Sequence, residues 1–376
     1  MLRPYRLTYP VAAATLIAGA SGSAGHGTTR FFGSPAAEIA GIVEGVIAEQ
    51  RLVGTQVAVW HAGRLVLRRS WGTADLALGV PVTDSTRFLI ASITKPITAL
   101  AIRRLAAAGR LDLDAPVQTV VPEFPPKPGP PITARLLLDH RGGIRHYRRG
   151  ETNDAGFFDR HYPTALAALE KFAGDDLVAR PGEREQYSSF GYTLLAAMAE
   201  KASGEPFGAH LRSTIFAPLG MAGTEAPDWR YPVPRLGPSY GFFLPHLGAT
   251  SERPFQARRL DFSYNAGGGN LVSTSSDLVR LGRAFLRDGA AREVAAELLS
   301  AGPLPGSWWG WHVERDSAGR VLMHATGASE AYQGGITIWP EHDLVVVALS
   351  NTWGIDSRRG GFTLTMHRAI ADVVLR

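Results

Sequence analysis

The sequence predicts an α/β (α+β) fold in which an antiparallel sheet, built from both ends of the chain, is flanked by helices and carries an inserted, mostly helical region. Three observations lead there. Apolar stretches of strand length come in pairs broken by short turns, near residues 55–70 and again over 309–349. Between them, apolar residues recur at helical spacing and are punctuated by Pro and Gly. A chain of 376 residues with 45% apolar and 19% charged side chains is also long and apolar enough to bury a large core without cross-links.

Taken in order, a helix is expected over about Pro35 to Gln50. Thr55 to Trp60 and Arg64 to Ser70 then form a hairpin around His61-Ala62-Gly63. Ile97, Leu100, Ala101 and Leu105 share a helix face, and Gly109 marks its end. Further helical patterns cover Leu136 to His140, Leu166 to Phe172, Tyr192 to Lys201 and Asp277 to Arg287. The last of these is opened by Thr274 as a capping residue and stopped near Gly289. Trp309 to Glu314 pairs with Arg320 to His324, and Gly335 to Trp339 pairs with Leu344 to Leu349, before a closing helix over Phe362 to Leu375. The sheet region is thus 36–90 together with 266–376, the helical insertion runs from about 92 to 265, and a cleft is expected where the two meet.

The first twenty residues read as a signal peptide, with Arg3 and Arg6 ahead of the small and apolar run Val11 to Ala20 and the cleavable Ala18-Gly19-Ala20. An uncleaved anchor or an organellar presequence is the alternative. Residues 21–35 form a polar linker, and ten apolar residues are too few for a stable membrane span. The expected location is therefore periplasmic or secreted. The net charge of +5 arises from scattered arginines, and the densest basic stretch, Arg141 to Arg149, carries no nucleic-acid-binding motif. With no cysteine in the chain, disulfides, thiol catalysis and Cys-based metal sites are excluded. The histidines His140, His146, His161, His210 and His246 lack metal-ligand spacing, so no metal or other cofactor is expected.

Ser92-Ile93-Thr94-Lys95 opens the strongest helix. Residues three apart share a helix face, so the Ser92 hydroxyl and the Lys95 amine can meet. A lysine whose pKa is lowered by burial can take the serine proton, and the helix N-terminus favours developing negative charge. Read blandly, Ser92 is a helix cap and Lys95 a solvated side chain. Tyr187, just before the helix at Tyr192, supplies a phenol that a nearby lysine can hold partly ionised as a proton shuttle; otherwise it is a core tyrosine. His324-Ala325-Thr326-Gly327-Ala328, at a strand exit, offers a backbone N–H and side chains that could bind a substrate carboxylate.

Together these residues resemble the penicillin-recognising serine hydrolases, the class C β-lactamases, D-Ala-D-Ala peptidases and related esterases, whose signature is S-x-x-K, then Y-x-N, then K/H-T-G. Phe88 to Thr98, Ile132 to Tyr147 and Ala266 to Thr274 resemble further segments of that family, and Tyr187 to Leu195 resembles the subgroup of the mitochondrial serine β-lactamase-like protein. The resemblance implies Ser92 as nucleophile, Lys95 as base and Tyr187 as proton shuttle. It also implies an oxyanion hole from the N–H groups of Ser92 and Ala328, and substrate contacts from Ser189, His324, Thr326 and Gly327. Its expected activity is acyl transfer to water from an amide or ester, on a small-molecule or peptide substrate. A narrower version is a β-lactamase or D-Ala-D-Ala carboxypeptidase; a competing class is a non-catalytic binding or self-assembling protein on the same scaffold.

Two positions depart from the signature. Ser189 replaces the usual asparagine, and Ala325 intervenes between His324 and Thr-Gly, so either His324 or Ala325 occupies the lysine position. Gly327-Ala328-Ser329-Glu330-Ala331 loosely imitates an α/β-hydrolase nucleophile elbow, but too little chain follows to place an acid and a histidine. The aromatic stretch Trp229 to Tyr264, with Tyr240, Phe242 and Phe243 foremost, and Trp308, Trp309 and Trp311, could wall an apolar substrate pocket or simply cover a core.

Overall fold

Helix α1 (Pro35–Gln50) leads into strands β1 (Gly54–His61), β2 (Arg64–Asp75), β3 (Val80–Pro81) and β4 (Phe88–Leu89). The helices α2 (Thr94–Ala107), α3 (Ala134–Leu138), α4 (Ala165–Ala168), α5 (Ser189–Ser203) and α6 (Phe207–Leu211) follow. After them come β5 (Tyr240–Leu244), β6 (Ala249–Gln256), β7 (Val272–Ser273), α7 (Ser275–Arg287) and α8 (Gly289–Ala301). The chain closes with β8 (His312–Arg315), β9 (Val321–Ser329), β10 (Tyr332–Trp339), β11 (Leu344–Ser350) and α9 (Phe362–Val374). This computed structural model describes residues 34–244, 249–301, 306, 308–354 and 361–376; the leader expected over 1–20 and most of the linker over 21–35 lie outside them.

Seven strands form one antiparallel sheet in the order β3-β2-β1-β11-β10-β9-β8, so the two chain ends meet at its centre, where Thr55 pairs with Ser350 and Val59 with Val346. Alternate residues of a strand face opposite sides, and β11 is apolar on both. Val346 and Ala348 pack with Val57 and Val59 under Ile39 and Val43 of α1 and Met366 and Ile370 of α9. Val345, Val347 and Leu349 face the larger cluster that includes Ile97 and Leu100 of α2 and Leu281 and Phe285 of α7. Two buried faces explain why Leu344 to Leu349 reads as a continuous apolar run rather than an alternating one.

Thr274 caps α7 as expected, its hydroxyl accepting from the Asp277 N–H at 3.2 Å. Three features differ from the sequence expectation. Gly289 does not simply end a helix but begins a second one, α8, because Asp288 breaks the direction of the chain in extended conformation. The insertion also contains the hairpin β5–β6, whose outer strand, rich in Ser, Glu, Arg and Pro, hides its strand character. Finally, β9 continues past His324 to Ser329, its ladder with β10 carried through the facing glycines Gly327 and Gly334.

Candidate active site

The site begins at a turn. Ser92 lies in the 3-10 turn Ala91–Ile93, which runs straight into α2. Ala91 is held at φ 44°, in the left-handed region where a Cβ crowds the next carbonyl at a cost on the order of 1–2 kcal/mol. The surroundings enforce it: the Ile90 N–H donates to the Leu271 carbonyl at 3.0 Å, and β9 passes close against the turn at Gly327. Gly327 permits that approach, since a Cβ there would lie 2.1 Å from the Ile90 oxygen and 3.0 Å from the Ser92 nitrogen.

One turn on, Lys95 is 1% exposed. Its Nζ donates to the Gly268 carbonyl at 2.7 Å and lies 3.1 Å from Ser189 Oγ and 3.0 Å from Ser92 Oγ. Gly268 brings its carbonyl this close because it lacks a Cβ, which would collide with Asn265 Oδ1 at 2.1 Å. Burial pushes the lysine below its ordinary pKa, and the neighbouring Tyr187 offsets only part of the shift. Tyr187 completes the cluster, with its hydroxyl 2.8 Å from Ser92 Oγ and its ring 4.8 Å from Lys95 Nζ. Burial alone would raise the phenol, but the Lys95 charge and its hydrogen bonds bring it below its usual value.

Two of the histidines without metal-ligand spacing, His140 and His146, hold Tyr187 in place. His140 lies against the tyrosine ring with centroids 4.5 Å apart, and its Nδ1 accepts from the Ser188 N–H at 3.1 Å. His146 meets the same ring edge-on at 5.3 Å and accepts from the Ser189 N–H at 3.2 Å. An Nδ1 that accepts carries no proton there. Burial, followed by the Lys95 charge, accordingly pulls His146 down to about 4 and His140 well below its ordinary value. The intervening Arg145 is buried and anchored by Glu151 at 3.0 Å and Asp175 at 2.6 Å, which fixes the loop that presents both rings. The detectable signal was two histidines flanking Gly142-Gly143 inside Ile132 to Tyr147.

Ser92, Tyr187 and Ser189 open onto a cavity of about 240 Å³ that Tyr264, Asn265 and Ala328 also line. Ala328 follows Gly327 at the cavity rim, one strand residue beyond the approach to the Ser92 turn. Of the residues expected to contact substrate, Ser189 lines this cavity, whereas His324, Thr326 and Gly327 do not. Strand alternation decides the matter: Met323 and Ala325 face the cluster beneath Ser92, so Ala325 occupies the inward position, while His324 points to the opposite face. There the His324 ring stacks on His312 at 5.0 Å, with Nε2 3.4 Å from Glu314.

Of the two readings open for the aromatic residues, covering a core describes Tyr240, Phe242, Trp309 and Trp311, all of them buried. The Tyr240 hydroxyl accepts from the Leu76 N–H at 2.8 Å, Phe242 lies under Arg51, and Trp311 packs edge-on against Phe285 in the core. Trp309 is buried, and neither it nor Trp308 lines the cavity; the Phe243 side chain lies outside the described residues. Tyr264 is the residue of the Trp229 to Tyr264 stretch that reaches the cavity, while Trp229 and Phe262 line a neighbouring pocket.

Comparison with known proteins identifies the family and the fold. Residues 39–369 match the family described as Beta-lactamase. Esterase EstB of Burkholderia gladioli is 31% identical over 274 residues, covering 66% of this chain and 69% of that protein. The human mitochondrial serine beta-lactamase-like protein LACTB is 30% identical over 297 residues, 62% of this chain, and the match spans only 53% of LACTB. The crystal structure of a D-amino acid amidase from Ochrobactrum anthropi superposes with a TM-score of 0.78 over 91% of this chain and 99% of that one, at 24% identity, a likeness of fold.

Proposed function

The chain belongs to the beta-lactamase family of serine hydrolases, and from that premise we propose that Ser92 is the nucleophile of an acyl-enzyme hydrolysis of amides or esters, Lys95 its base and Tyr187 its proton shuttle. One observation carries the reading: Ser92 Oγ is within hydrogen-bond reach of both Lys95 Nζ and Tyr187 OH. A neutral lysine has two N–H groups and one lone pair. The N–H groups serve Gly268 and Ser189, which leaves the lone pair to take the Ser92 proton. Ser92 Oγ then bonds to the carbonyl carbon, and the N–H groups of Ser92 and Ala328 receive the oxyanion. As the C–N or C–O bond breaks, Tyr187 gives its hydroxyl proton to the leaving group and takes in its place the proton that Lys95 removed from Ser92, which returns Lys95 to its neutral form. Water repeats the sequence on the acyl-enzyme, releasing the acid and restoring Ser92.

The β-lactamase and carboxypeptidase version has less support. Ala325 in the inward position leaves a substrate carboxylate without the cation that the family's lysine provides, and Ser189 is too short to replace asparagine. We infer that the catalytic domain spans residues 36–376 and that residues 1–20 direct export, the latter on the Arg3, Arg6 and Val11 to Ala20 pattern alone. Among the described residues, no helix is long and apolar enough to cross a membrane.

The test is turnover of nitrophenyl esters and anilides beside a chromogenic cephalosporin. Ester or anilide hydrolysis that disappears in Ser92→Ala, with little cephalosporin turnover, is expected. Intact protein that hydrolyses none of these and resists a fluorophosphonate would instead identify a binding protein.

A further inference from the structure

The catalytic cavity has one acidic side chain, Glu330, and among the described residues no lysine or arginine lines it. Glu330 occupies an unusual place. It and Ala331 form the two-residue loop joining β9 to β10, closed by the pair Ser329 and Tyr332, and both have positive φ, 43° and 64°. Such a loop normally takes Asn-Gly. A glutamate and an alanine here accept backbone strain, and strain kept at a cavity wall points to use. The Ser239 hydroxyl donates to the Glu330 carbonyl and holds the loop down.

Its carboxylate is half-buried and makes no ion pair among the described residues. Burial raises its pKa, and the exposed Arg258, which stands over the Phe158 ring at 6.0 Å, offsets this only in part. A carboxylate in this position gains from a cation that comes with the substrate. Glu330 also lines a second, mostly apolar pocket of about 220 Å³, walled by Trp229, Val233, Leu236, Phe262 and Tyr332. Arg258 and Arg259 stand at the edge of this pocket as well; Arg259 is already occupied with the Trp229 and Tyr231 carbonyls, and Arg258 is exposed and makes no ion pair with Glu330 among the described residues. The acidic group thus stands where the catalytic cavity meets an apolar one, two residues from Ala328.

We propose that Glu330 sets the specificity of the site: the substrate is an amide or ester whose acyl part bears a protonated amine, held by Glu330, and an apolar side chain, held in the Trp229–Phe262 pocket. This rests on Ser92 as the nucleophile, and the experiment separates the two claims. Turnover is compared for the nitroanilide of phenylalanine, its N-acetyl and N-succinyl derivatives, and the 3-phenylpropionyl anilide, in wild type, Glu330→Gln and Glu330→Lys. Binding of phenylalaninamide to Ser92→Ala, with and without Glu330→Gln, is measured in parallel by calorimetry.

The free-amine substrate should be preferred over the N-acetyl one by tenfold or more. Glu330→Gln should reduce that ratio at least tenfold, and Glu330→Lys should shift the preference to the succinyl derivative. Phenylalaninamide should bind Ser92→Ala and lose tenfold or more in affinity with Glu330→Gln. Turnover with no preference for the amine, or a ratio unmoved by Glu330→Gln, overturns the assignment of Glu330 and leaves Ser92 standing. Amine binding that depends on Glu330, with turnover of neither these anilides nor the nitrophenyl esters, supports Glu330 and overturns acyl transfer.

Discussion

The two faces of β9 make an instructive pair. On the inner face, beneath Ser92, a buried lysine, the buried His140 and the half-buried His146 have pKa values below their ordinary ones. On the outer face, His324 and His367 are each pulled down to about 3, and again burial leads. Desolvation disfavours a cation wherever it occurs, so a perturbed base by itself does not separate the two sides. What differs is the company. Lys95 touches a hydroxyl that opens onto a cavity, whereas His367 hydrogen-bonds Thr337 at 2.8 Å and His324 is walled by His312 and Glu314. Nucleophile, base and space for substrate coincide on only one face of the strand.

Substitutions on the inner face should have the largest effects. Lys95→Ala should lower acylation about 10³–10⁴-fold, the upper range for a lost general base, with a melting temperature unchanged or higher because a buried amine is removed. The wild-type kcat/KM should rise with pH as Lys95 deprotonates below 10.5, and that limb should vanish in the variant. Tyr187→Phe keeps the ring contacts with His140 and His146 and removes only the hydroxyl; a loss of about 10²-fold in kcat is expected from stopped-flow hydrolysis.

His146 allows a comparison through stability. Its folded pKa of about 4 lies below the unfolded 6.5. Between these values the unfolded chain binds the proton and the folded chain does not, so the stabilising difference is complete above pH 6.5 and lost as pH falls to 4. At about 1.4 kcal/mol per pH unit this is about 3 kcal/mol, and denaturant titrations of His146→Gln should show a correspondingly flatter profile. The smallest effect belongs to the outer face: His324→Gln should change ester turnover less than about threefold, since the side chain reaches neither cavity nor nucleophile. A large loss there would erase the distinction between the faces.

Much of this was legible in the chain, and the exceptions have physical causes. Leu344 to Leu349 announced a central strand because both its faces are buried, and Ser92-x-x-Lys95 announced a helix start because Pro96 is tolerated only in a first turn. His324 misled because a one-residue offset in a strand reverses the face, and sequence spacing around Ala325 does not fix which residue points inward. The support from His140 and His146 stayed hidden because it depends on a loop folded back over Tyr187 by the buried Arg145, a contact across some 40 residues of sequence. Glu330 lies within a false elbow motif in the sequence; its position takes its meaning from the turn and the two cavities, which only the folded chain brings together.

The most direct test of the account is a rapid-quench burst with a nitrophenyl ester, followed by peptide mass mapping of the trapped protein. The account predicts a stoichiometric burst and an acyl group on the peptide carrying Ser92, both absent in Ser92→Ala. An acyl group on another residue, or Ser92→Ala with an undiminished burst, would contradict it.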